Sequence, residues 1–238
     1  MSAYKEAIEF YVQAVKKTPD GIPPLGMLGN AMLKIGRTDA ALELLTLSVQ
    51  SNPDNHLCYR MLGNAYESQG HHEHAIDAYK KARELNKRDT DTHIALGIAY
   101  QKLNRLTEAL SSFDTALGIT PESPPALYQK GLTYVLQKEL TKSEAIHQNL
   151  HNHGHQELAS KLADRIEELR GSMASDNEDD TTVTVIDETQ QPAPSVEPTP
   201  ASVPEPAPVP EPAPAQVSTS AADPAAVEEA TRQIAQYK

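Results

Sequence analysis

Thr90-Asp91-Thr92-His93-Ile94-Ala95-Leu96-Gly97-Ile98-Ala99-Tyr100, followed by Gln101-Lys102-Leu103-Asn104-Arg105 and then by Glu108, Ala109, Leu110, Phe113, Ala116 and Pro121, is the stretch that decides the fold. It reads as one helix, a turn at Asn104 and a second helix closed by a proline. Shifted back by 34 residues, the same types return as Tyr59, Leu62, Gly63, Tyr66, Ala75, Tyr79 and Ala82. A second shift of 34 finds Leu25, Leu28, Gly29, Met32, Ala41, Leu45, Ser48 and Pro53.

Gly29, Gly63 and Gly97 fall inside helices, where glycine costs about 1 kcal/mol relative to alanine. Close approach of two helices is the natural compensation, with Ala41, Ala75 and Ala109 as the small residues expected opposite. Leu28, Leu62 and Leu96, with Tyr66, Tyr100, Tyr79 and Phe113, are expected to fill the space between pairs. One helix pair cannot bury both of its faces, so such units must stack. A helix–turn–helix unit repeated every 34 residues with these types in phase resembles the tetratricopeptide repeat (TPR) family, over Met1 to about Leu150. The resemblance implies an all-α, right-handed α-solenoid.

The expected organisation is a solenoid over 1–170: a partial unit 1–21, full units 22–55, 56–89 and 90–123, a degraded unit 124–155 and a closing helix 156–170. The partial unit resembles the second helix of a pair whose first is absent, since Ala7, Tyr11, Ala14 and Pro19 lie one period before Ala41, Leu45, Ser48 and Pro53. Pro23-Pro24, Asp39 and Thr107 are expected at helix starts. In the degraded unit Gly131 and Tyr134 keep phase, while Lys130, Ser143 and His147 replace the expected Leu, Ala and aromatic. Leu158, Leu162, Ile166 and Leu169 give the closing helix one apolar stripe with a charged back. Residues 171–222 read as a disordered, acidic, Pro/Ala-rich linker, with ten prolines between Pro192 and Pro214 favouring an extended spacer. Residues 223–238 read as a short amphipathic helix, capped by Asp223 and striped by Val227, Ala230, Ile234 and Tyr237.

The net charge of −12 is uneven: residues from Gly171 onward hold 12 acidic and 2 basic side chains, those before it 21 and 19. A near-neutral solenoid argues against nucleic acid as a partner. Cys58 is the only cysteine, which leaves no intramolecular disulfide, and a plain buried thiol is the favoured reading. Neither a secretory leader nor an apolar run long enough to span a membrane is present, so a cytoplasmic location without membrane insertion is expected.

The resemblance also implies where a ligand would sit. TPR solenoids line their concave face with the first helix of each pair. In phase, that face takes Asn30, Leu33 and Lys34; Arg60, Asn64 and Glu67; Ile94, Ile98, Gln101 and Lys102; and Tyr128, Leu132 and Val135. Asn30 and Asn64 match positions where relatives bond a peptide main chain. Arg60 and Asn64 resemble the first pair of the carboxylate-gripping, chaperone-binding subclass, but Ala95, Pro125 and Gln129 stand where its remaining polar residues would be needed. A partly apolar peptide or an amphipathic helix is the expected ligand.

His147 and His151, four apart, share one helix face, with His153 and His155 nearby, and His71, His72 and His74 crowd a turn. No cysteine or carboxylate completes a shell, so solvated histidines are favoured and no metal or cofactor is expected. No nucleophile elbow or phosphate loop appears, so no enzyme is expected. The reading is a protein-interaction adaptor; the alternative is a self-assembling scaffold, a homo-oligomer in which end or tail helices dock between copies.

Overall fold

The computed structural model describes residues 9–11, 13–14 and 24–179, with side chains to residue 174, and all regular structure among them is helical. The expectations for 223–238, and for the linker beyond residue 179, lie outside the described residues. After helical residues at 9–11 and 13–14, the elements are α1 (Leu25–Lys34), α2 (Thr38–Ser51), α3 (His56–Ser68), α4 (His72–Leu85), α5 (Thr90–Lys102), α6 (Leu106–Ile119), α7 (Pro124–Leu136), α8 (Leu140–Asn152) and α9 (Gln156–Asp179). Helices α1 to α8 pack as four consecutive pairs, and each pair packs on the next through α2 with α3, α4 with α5, and α6 with α7. The first helices α1, α3, α5 and α7 also touch in succession, forming one row. Helix α9 lies against both α7 and α8.

The turns inside the pairs repeat in phase. Gly36, Gly70, Asn104 and Lys138, 34 residues apart, all take a left-handed backbone, with φ of 80°, 76°, 57° and 60°. Each first helix thereby ends in the same pair of backbone bonds. In the first unit Gly36 N–H donates to Leu33 O at 3.0 Å and Arg37 N–H to Met32 O at 3.0 Å. In the third, Asn104 N–H donates to Gln101 O at 2.9 Å and Arg105 N–H to Tyr100 O at 2.9 Å. Gly154 makes the same turn between α8 and α9, with φ of 80°.

The helical glycines sit where the pairs approach most closely, opposite large side chains of the facing helix, with the Ala41 backbone oxygen also 3.3 Å from a Cβ built at Gly29. A Cβ at Gly29 would stand 2.7 Å from Leu45 Cγ, and at Gly63 and Gly97 it would overlap the rings of Tyr79 and Phe113. Ala41, Ala75 and Ala109 are fully buried one turn earlier on the same second helices. The missing side chain thus makes room for a bulky partner from the facing helix, which explains why glycine and a large residue recur together, 16 positions apart. Gly131 follows a different course: His147 occupies the in-phase partner position, and the space is taken by Leu162 of α9, 2.6 Å from a built Cβ, with Ile146 at 3.1 Å. The closing helix therefore completes the last unit's core.

Three buried clusters run along the stack. The first gathers Leu25, Leu28, Leu44, Leu45 and Leu62, with Tyr11 of the N-terminal helical stretch packed against it. The second centres on Ile76, Tyr79, Leu96, Tyr100 and Phe113, and half-buried Tyr66 touches both it and the first. The third joins Leu127, Leu150, Leu162, Ile166 and Leu169. In the fourth unit Lys130 stands in the position of Leu28, Leu62 and Leu96; its Nζ reaches Asp114 Oδ1 of the preceding unit at 2.6 Å, an ion pair where its neighbours have apolar packing.

Three local expectations need correction. Asp39 does not cap α2: the helix begins at Thr38 behind Arg37, and Asp39 Oδ1 instead accepts a bond from Gln69 Nε2 of the next unit at 2.7 Å. Thr107 likewise lies inside α6, which begins at Leu106; the left-handed turn sets both starts two residues after its own position, without a side-chain cap. The closing helix does not stop at Arg170 but runs to Asp179. Met173 extends the stripe of Leu162, Ile166 and Leu169 and packs on the third cluster, and no proline interrupts the helix. Pro124 and Pro125 occupy the first turn of α7.

Candidate functional site

The row α1, α3, α5, α7 carries the residues expected to face a ligand. On α1, Asn30 and Leu33 are half-buried and Lys34 is exposed, with Leu33 against the first cluster. On α3 the polar residues are already engaged. Arg60 Nη1 donates to Asp91 Oδ2 at 3.1 Å, and its Nε stands 3.1 Å from Asp89 Oδ2, in ion-pair range but poorly aligned for a hydrogen bond. Asn64 Oδ1 accepts from the Tyr79 hydroxyl at 2.8 Å. Glu67 Oε1 lies 2.7 Å from His72 Nδ1. These contacts tie α3 to α4 and to the start of α5.

On α5, Gln101 bridges to α7: its Nε2 donates to Gln129 O at 3.0 Å and Thr133 Oγ1 at 2.7 Å. Lys102, one turn beyond Ile98, is exposed. Ile94 and Ile98 are half-buried against the second cluster; Tyr128 and Leu132 are half-buried against the third. Ile94 and Ile98 are one turn apart on α5, as are Tyr128 and Leu132 on α7. With Gln101 drawing the two helices together, they form adjacent apolar rows. Val135 is buried, 9% exposed, in the third cluster. Leu136, 52% exposed, holds the position in phase with Lys34 and Lys102. Leu57, 37% exposed, stands at the start of α3 in phase with Asp91. Sequence reasoning passed over both, although the 34-residue phase would have found them.

Two depressions among the described residues lie away from these rows. A shallow one of about 810 Å³ is lined by Leu110, Ser111 and Asp114 of α6 and by Gln137, Glu139 and Lys142. A smaller one of about 190 Å³ lies between α1 and α3, lined by Met27, Leu57, Cys58 and Met61. The Cys58 thiol is buried and accepts a bond from Ser48 Oγ at 3.1 Å; burial raises its pKa above the ordinary thiol value, which suppresses the reactive thiolate.

Among the described residues no group of three or more His, Cys, Asp or Glu side chains is placed to hold a metal ion. The rings of His147 and His151 are 6.4 Å apart, and His74 stacks on Tyr66 at 5.3 Å. No helix among the described residues is long and apolar enough to cross a membrane.

Comparison with known proteins places this architecture. Models described as tetratricopeptide repeat match residues 1–65 and 94–148, and one described as TPR repeat matches 63–104. Among solved structures, TTC0263, a thermophilic TPR protein of Thermus thermophilus, superposes with a TM-score of 0.58 at 23% identity, over 68% of this chain and 90% of its own. YrrB, described as a TPR protein with an unusual peptide-binding site, gives 0.58 at 21% identity, over 68% and 84%. A MamA crystal structure gives 0.51 at 24% identity, over 72% and 91%. At these identities the likeness is one of fold. No curated protein matches the chain. Three matches to one repeat family run without a gap from residue 1 to 148, and the chain belongs to the tetratricopeptide repeat family.

Proposed function

We propose that the protein is an interaction adaptor that receives an apolar peptide or amphipathic helix on the row α1, α3, α5, α7, chiefly across α5 and α7. The observation that carries this reading is the contrast along the row. Arg60, Asn64, Glu67 and Gln101 are held by internal partners, whereas Ile94, Ile98, Tyr128 and Leu132 stay half-buried at the edges of the second and third clusters. Half-buried apolar rows on adjacent helices suit the spaced anchors of a helical or extended ligand. The fold relatives support protein or peptide ligands as a class; YrrB's description names a peptide-binding site on that protein. No catalytic step enters this reading.

The test is selection of 16- to 20-residue peptides from a display library on the full chain, followed by titration of the selected peptides. Ile98→Glu and Leu132→Glu are each expected to weaken binding by 10-fold or more, as a loss of at least about 1.4 kcal/mol implies, while Asn64→Ala changes it by less than threefold. Retained affinity in both glutamate variants moves the site off α5 and α7.

The alternative, self-assembly through end helices, draws on Phe10, 67% exposed on the N-terminal helical stretch. A mass by light scattering that stays at one chain across a hundredfold dilution series removes it.

A further inference from the structure

The row that faces a ligand ends next to the helix from which the tail leaves. Helix α9 packs on α7, and the chain continues from its end at Asp179 for another 59 residues. Within that tail, Tyr237 is the sole aromatic residue, and Val227, Ala230, Ile234 and Tyr237 recur at three- and four-residue spacing. An 11-residue stripe of this kind is marginal as an isolated helix in water, and the linker before it is rich in Pro, Ala and acidic residues.

Resting on the adaptor reading above, we propose that residues 223–238 are the built-in occupant of the apolar rows on α5 and α7, so that the chain carries its own competing ligand in cis. Three features fit the segment to the site. The first is reach: the 43 residues of 180–222 extend to about 130 Å at about 3.1 Å each, the rise of a Pro-rich spacer, which exceeds the width of two or three packed helices at about 10 Å each. The second is size. Val227 to Tyr237 spans about 15 Å as a helix, enough to cross Ile94 and Ile98 on one helix and Tyr128 and Leu132 on the next. The third is charge. Lys102 continues the Ile94–Ile98 row and is exposed, with no ion pair among the described residues, and Glu228 and Glu229 flank the segment's stripe. The tether makes the cis contact intramolecular, so it competes with a free peptide of similar affinity until that peptide exceeds the segment's effective concentration.

Hydrogen exchange followed by mass spectrometry on the full chain tests this, with Ile234→Glu as the variant because it changes nothing in the folded units. In the wild type, peptides covering 223–238 and the exposed turns of α5 and α7 should exchange about 10-fold more slowly than in Ile234→Glu, as a segment docked about nine-tenths of the time requires. The protection should be unchanged on hundredfold dilution. Equal exchange in the two proteins overturns the proposal, and protection that disappears on dilution overturns the cis form in favour of docking on a second copy. Titrating both proteins with one library-selected peptide separates this inference from the adaptor reading. Tighter binding by Ile234→Glu supports self-occupancy. Equal binding by both leaves the adaptor reading standing and removes the tail as occupant, and binding by neither removes both.

Discussion

A side chain at Gly97 would run into the ring of Phe113, which is itself fully buried. Gly97→Leu is therefore expected to destabilise by at least about 1–3 kcal/mol, and a thermal midpoint equal to wild type would contradict the packing. Lys138 is the converse case, a long side chain held at a left-handed φ of 60° where the first two units use glycine. Lys138→Gly should raise the urea midpoint by the equivalent of about 0.5–1 kcal/mol, and Gly70→Lys should lower it. Tyr79 is buried, and desolvation, with Glu67 adding, pushes its pKa well above the ordinary tyrosine value. Its neutral form is therefore favoured in the folded chain. The resulting stability is complete below the unfolded pKa of about 10 and is lost as pH rises toward the folded value. The thermal midpoint should thus fall above pH 10, with a shallower fall in Tyr79→Phe; parallel curves for the two proteins would contradict it.

Among the elements, α9 shows how much of the fold was legible and where legibility ended. Its stripe of Leu158, Leu162, Ile166 and Leu169 is plain in the sequence, yet its true end is not: Met173 completes the pattern one turn past Arg170, and a lone Gly171 weakens a helix without stopping it. Ending the chain after Arg170 removes this turn along with the tail, whereas Met173→Asp removes only its packing. Met173→Asp is expected to cost about 1 kcal/mol, measured by urea denaturation. An unchanged midpoint would show that the last turn contributes nothing. The 34-residue period, the helix pairs and the tight glycines were readable because all follow from one repeated packing problem. What faced each glycine was not, since spacing alone does not tell Ala41 from Leu45, one turn apart on the same face. The caps failed for a related reason: a left-handed turn set each helix start, and Asp39 was free to bond Gln69 instead. The candidate site was legible as a row of positions and opaque as chemistry. Only the side-chain contacts separate Arg60, Asn64, Glu67 and Gln101, which have bonding partners within the stack, from the half-buried Ile94, Ile98, Tyr128 and Leu132.

On the scale of the whole molecule, the main helix contacts among the described residues fall within a unit or between neighbours, so stability is spread along the stack as unit and interface contributions. Arg60 reaches Asp89 just before α5 and Asp91 within it, linking the second unit to the third, and Gln101 links the third to the fourth. Gln101→Ala leaves the fully buried Thr133 hydroxyl with only its bond to Gln129 O and should loosen the α5–α7 contact, weakening peptide binding with little change in far-ultraviolet circular dichroism. The same row geometry supplies the most direct test of the account. A photoreactive benzoylphenylalanine is placed at Leu132 on α7 in one protein and at Leu110 on α6 in another, and each is irradiated with a library-selected peptide. The account predicts crosslinking from position 132 and none from position 110; efficient crosslinking from 110 with none from 132 would contradict it.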